Sequence, residues 1–84
     1  MQPIHELLNR IRWDREYGKA RFTIGYYDRL EMKIIYVSFN ELRFEEGNHF
    51  SFLVFDDEGG LHNVPYHRVK ELYKDGELIW HREH

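Results

Sequence analysis

The chain has no cysteine, so disulfides and thiolate metal sites are excluded and nothing points to an oxidising compartment. It has only two prolines, no low-complexity stretch and no internal repeat. A Pro/Gly/Ser-rich linker that would divide it is therefore missing, and 84 residues are expected to form one domain, 1–84. No apolar run approaches the roughly 20 residues of a membrane span. The start, Met1-Gln2-Pro3-Ile4-His5-Glu6, lacks the cationic and then apolar order of a secretory leader, so the expected location is cytoplasmic, with no membrane partner. A basic excess is missing too. The formal net charge is −3, which argues against coating a nucleic-acid duplex but leaves recognition of a single strand end open.

What the chain does have is rings. Aromatic residues make up 17 % of it, enough to give a short chain an efficient core. Ile4, Leu7, Leu8 and Ile11 follow the i, i+3, i+4, i+7 spacing of one helical stripe, and Pro3 suits the first turn. That helix is expected to end near Arg12 or Trp13. Arg21 to Asp28 and Lys33 to Phe39 alternate as a hairpin pair, with Tyr26 and Tyr27 on opposite faces. Asn40 to Phe44 reads as a turn of helix or a brief edge strand. His49 to Phe55 is apolar on both faces and reads as a central strand. Asp56-Asp57-Glu58-Gly59-Gly60 is a hairpin turn leading into Leu61 to Val64, which Pro65 closes. Arg68 to Tyr73 reads as one or two helical turns with Val69, Leu72 and Tyr73 inward. Asp75-Gly76 is a turn before a last strand, Glu77 to Arg82. The fold class is α+β. The expected architecture is a curled antiparallel sheet of about five strands, or a partly open barrel. The N-terminal helix packs on it, and a short helix precedes the last strand.

The densest chemistry lies in Leu61-His62-Asn63-Val64-Pro65-Tyr66-His67-Arg68. Two imidazoles and a guanidinium there suit a phosphate: His is neutral or cationic near neutral pH, and the Arg fork matches phosphate oxygens. Residues five apart on a strand point to opposite faces, but Pro65 interrupts the strand, so convergence of His62 and His67 is open. The bland alternative is that His67 caps a helix and Arg68 pairs with a carboxylate. At the end of the first helix, Arg12, Trp13 and Asp14 offer a cation, a stacking face and an orienting carboxylate. Equally, Trp13 could close the core and Asp14 could end the helix. Trp80 on the last strand is more typical of core than of a site, while Arg82 could reach a phosphate.

No metal or cofactor is expected. The six histidines are scattered, His62 and His67 lack the spacing of a zinc helix, and His81 and His84 sit in a tail expected to fray. No phosphate-cradling glycine loop is present. His62 and His67 with an Arg could act as acid, base and charge stabiliser, which keeps open a metal-independent cyclic phosphodiesterase or ribonuclease. A third possibility is a protein-interaction adaptor that uses the aromatic strands.

Three segments carry a resemblance: Leu8-Asn9-Arg10-Ile11-Arg12-Trp13-Asp14, Val64-Pro65-Tyr66-His67-Arg68-Val69, and Asp75-Gly76-Glu77-Leu78-Ile79-Trp80-His81-Arg82. Over nearly its full length the chain resembles the archaeal and eukaryotic RNA cyclic-group end recognition domain family. Arg15 stands where family members often have proline. The resemblance implies a non-catalytic module that binds processed RNA 3′ ends bearing a 2′,3′-cyclic phosphate or related group. It also implies RNA-processing enzymes as partners. Carried onto this chain, it points to Arg12, Trp13, Asp14, His67, Arg68, Trp80 and Arg82; His62 is added on chemical grounds alone.

Overall fold

The computed structural model describes residues 3–83, so His84 lies outside the described residues. Helix α1 spans Ile4–Trp13 and a 3-10 turn follows at Tyr17–Lys19. Strands β1 (Phe22–Asp28) and β2 (Lys33–Ser38) come next, then a 3-10 turn at Phe39–Glu41. Strands β3 (Ser51–Phe55) and β4 (Leu61–Pro65) lead to a third 3-10 turn, Tyr66–Arg68. Strands β5 (Val69–Lys74) and β6 (Glu77–His81) end the fold.

The apolar stripe of α1 is buried as its spacing predicts: Ile4, Leu7, Leu8 and Ile11 all face the core. Each such side chain contributes roughly 1.5–3 kcal/mol by leaving water. Glu6 in the first turn and Arg10 and Arg12 in the last complement the helix dipole. Asp14 stops the helix. Its backbone is extended, and its Oδ1 accepts from the N–H groups of Glu16 and Tyr17, both at 3.1 Å. Gly18 then crosses the helix end so closely that a Cβ there would lie 2.6 Å from the Ile11 carbonyl oxygen.

All strand pairs are antiparallel. One sheet runs β2-β1-β5-β6 and a second pairs β3 with β4; no closed barrel forms among the described residues. Six strands thus stand where about five were expected. Leu53 on β3 exchanges two 2.8 Å hydrogen bonds with Arg43, so the 39–44 segment supplies both the 3-10 turn and the edge pairing that its sequence suggested. β3 is central only through that single bridge.

The segment read as a helix after Tyr66 is a correction. Only Tyr66–Arg68 is helical, as a 3-10 turn, and Val69–Lys74 is strand β5, which the Asp75-Gly76 turn joins to β6. The cause is a bulge. Tyr26 pairs with Val69 and Gly25 with Glu71, which leaves Lys70 as an extra residue. Val69 and Leu72 therefore both face inward, and a three-residue spacing imitates a helix.

The core joins three parts: Leu8 from α1, Ile24, Val69 and Leu72 from the larger sheet, and Phe52 from the hairpin. An arc of rings ties them together. Phe52 lies 6.4 Å from Tyr26, 6.1 Å from Phe44 and 6.0 Å from Tyr66 between centroids. Tyr26 is buried and Tyr27 half-buried. None of the described helices is long and apolar enough to cross a membrane.

Candidate nucleic-acid interface

Two clefts flank α1. The larger, of about 550 Å³, lies between the C-terminal half of the helix and the loop from Phe44 to His49. Asn9, Arg12 and Trp13 form its helical wall; Phe44, Glu45, Glu46, Gly47, Asn48 and His49 form the other. Such a volume falls within the range of small-ligand sites. Trp13 is 74 % exposed, so it is a free ring face and not a core plug. The Arg12 guanidinium lies 4.3 Å over the Phe44 ring and 5.0 Å from the Trp13 ring. No ion pair involves Arg12 among the described residues. Its cation is held by aromatic faces and its hydrogen-bonding edge is uncommitted.

The smaller cleft, of about 310 Å³, opens beside the start of α1 and is lined by Pro3, Ile4, His5, Tyr66, His67, Trp80 and Arg82. Trp80 is buried at 7 % exposure, so it belongs to the core and offers only part of its surface here. Arg82 is largely committed. Its Nε donates to the Val69 carbonyl at 2.8 Å and its Nη2 to the Tyr66 carbonyl at 2.5 Å. This clamp holds the 3-10 turn against β6, and burial pulls the Arg82 pKa down. Tyr66, which lines the smaller cleft, feels the charge of Arg12 in the larger. Burial pushes its hydroxyl pKa up, and the charge of Arg12 opposes that.

The remaining sequence candidates fall elsewhere. Asp14 organises the turn after α1 and faces Arg10 Nε at 3.8 Å. Arg68 is half-buried, lines neither cleft and leaves its buried Nε without a hydrogen-bond partner. His62 lines a separate cleft with Tyr26 and Asp56. Its Nε2 is 2.7 Å from Asp56 Oδ2, a hydrogen bond that pulls the Asp56 pKa down, helped by the Gly60 N–H. Position along the strand separates the two imidazoles: β4 carries His62 opposite Val54 near the hairpin turn, while His67 lies in the 3-10 turn beyond the other end of the strand. The structure therefore unites Arg12 with Trp13, and His67 with Trp80 and Arg82, but does not bring His62 to His67. Sequence reasoning missed Phe44, Asn48 and His49 in the larger cleft and His5 in the smaller. Only the loop closure after Gly47 brings His49 to α1, and no local pattern signals it. Among the described residues no group of three or more His, Asp or Glu side chains is placed to hold a metal ion.

The segments that carry the sequence resemblance supply one wall of the larger cleft and Tyr66, His67, Trp80 and Arg82 of the smaller, and the comparison with family models gives the same family. The model described as the MJ1316 RNA cyclic group end recognition domain matches residues 1–82. The chain belongs to this family. The match takes in every element from α1 to β6, so both clefts lie wholly within the family domain. No solved structure matches the chain.

Proposed function

We propose that this domain is a non-catalytic reader of RNA ends carrying a 2′,3′-cyclic phosphate, and that the Arg12–Trp13 cleft takes that end. The family description supports the ligand class. The observation that carries the choice of cleft is the exposed Trp13 ring beside an Arg12 guanidinium that forms no ion pair among the described residues. Trp13 stacks on the terminal base or ribose, an interaction worth roughly 1–3 kcal/mol per base in single-strand readers. Arg12 donates to the non-bridging phosphate oxygens. Asn9, Asn48 and His49 add further hydrogen-bonding groups around it. The strand leading to the end runs along α1 toward His5, Tyr66 and His67, where His67 contacts the next phosphate. The role accords with a single cytoplasmic domain working beside RNA-processing enzymes.

A cyclic phosphodiesterase or ribonuclease built on His62 and His67 needs both imidazoles at one substrate. Those side chains line different clefts, and His62 is engaged by Asp56, which favours binding over turnover. The histidines that share a cleft are His5 and His67, so products must be followed alongside binding.

The test is a titration with short RNAs that differ only at the 3′ end: cyclic phosphate, linear phosphate or hydroxyl, with the RNA analysed afterwards. Tightest binding of the cyclic end without conversion is expected. Conversion would make the domain an enzyme. Equal, negligible binding of all three would leave the adaptor, with the exposed cross-strand pair Phe55 and Leu61 as its contact.

A further inference from the structure

We propose that Glu45 and Glu46 make the Arg12–Trp13 cleft selective by charge, so that it accepts a singly charged phosphate end and disfavours a doubly charged one. This rests on the reading above and names how that site tells a cyclic end from a linear 3′-phosphate. The cleft lining contains one fixed cation, Arg12, and two carboxylates, Glu45 and Glu46; Asn9, Asn48 and His49 add no fixed charge. One positive and two negative charges leave the fixed charges of the lining at −1.

Neither carboxylate is neutralised from within. Glu45 and Glu46 are exposed and take part in no ion pair among the described residues. Glu45 receives one long hydrogen bond, 3.5 Å from Asn48 Nδ2. The neighbouring cation, Arg43, directs its Nη1 at the carbonyls of Asn40 and Leu42.

A 2′,3′-cyclic phosphate is a diester and carries one negative charge. A linear 3′-phosphate carries about −1.5 to −2 at neutral pH. Arg12 attracts both, and attracts the added charge once; the two carboxylates repel it twice. Sites that only maximise phosphate affinity gather arginines. Acids on a phosphate cleft lower affinity for every end, but lower it more for the more highly charged one, which is how repulsion creates specificity. Acting through water at the rim of an open cleft, each carboxylate is expected to change the preference by about threefold.

The experiment measures Kd for the cyclic, linear-phosphate and hydroxyl ends with wild type, Glu45→Gln, Glu46→Gln and the double variant. Gln keeps the shape of an exposed side chain, so folding is unaffected. Wild type is expected to prefer the cyclic to the linear phosphate. That ratio should fall about threefold in each single variant and about tenfold in the double. Raising the salt should shrink the ratio in wild type but not in the double variant, where only the Arg12 attraction, which favours the linear end, is left to be screened. A wild-type preference that survives intact in the double variant would overturn the charge filter and leave the binding reading standing. Equal affinity of wild type for the two phosphate ends would overturn it as well. Failure of wild type to bind the cyclic end at all would remove the reading beneath it.

Discussion

The guanidinium of Arg12 lies 4.3 Å over the ring of Phe44, which fixes a cation in the larger cleft without an ion pair among the described residues. Lysine keeps the charge but loses the planar fork and the stacking. Arg12→Lys is therefore expected to weaken binding of cyclic-ended RNA by about tenfold, while stability falls by only about 0.5–1 kcal/mol. Paired titration and chemical denaturation would check both numbers. A Lys variant with full affinity would show that only charge matters there.

The two tryptophans should separate binding from stability. Trp13→Ala removes a ring that is 74 % exposed, so unfolding free energy should change by no more than about 0.5 kcal/mol while RNA affinity drops. Trp80→Ala empties a core site and should cost roughly 3–5 kcal/mol, a large part of a small domain's stability. Urea unfolding of the two variants side by side decides it; equal losses would contradict the assignment.

Arg82 is expected to behave as a clamp. Arg82→Met gives up two charge-assisted bonds to the carbonyls of Val69 and Tyr66 and should destabilise by roughly 2–3 kcal/mol. Below its melting transition the variant should bind RNA within about twofold of wild type. A loss of affinity without a loss of Tm would instead make Arg82 a phosphate ligand.

On the larger sheet, Tyr73 of β5 and Tyr36 of β2 both donate to Glu71 Oε1, at 2.6 and 3.0 Å. The Glu71 carboxylate favours the protonated phenol and raises the Tyr73 pKa to about 12. Because the folded pKa lies above the unfolded value of 10.0, the stability it contributes is whole below about pH 10 and fades as pH rises toward 12. An ultraviolet titration should show this late phenol in wild type. In Glu71→Gln it should move down toward 10. An unchanged midpoint would mean that another group sets it.

The sequence was a good guide wherever one residue spacing maps onto one face. Ile4, Leu7, Leu8 and Ile11 announced α1, and Phe22, Ile24 and Tyr26 announced β1. It misled where the period itself is broken. The extra residue Lys70 puts Val69 and Leu72 on the same side, so a bulged strand carries a helical spacing. Arg12 and Trp13 were legible because neighbours at a helix end stay neighbours. His49 was not, since 36 residues separate it from Arg12 and only the fold closes the distance. His62 looked close to His67 in the chain, but β4 and the Asp56 hydrogen bond hold it at the other end of the hairpin.

The most direct test of the account uses the fact that the chain has only two tryptophans. Their indole N–H resonances can be followed while RNA ending in a 2′,3′-cyclic phosphate is titrated in. The account predicts a large, saturable shift of the Trp13 signal, at most a small one for Trp80, and a much weaker response to hydroxyl-ended RNA. A shift confined to Trp80 and the His67 ring, with Trp13 unmoved, would contradict it.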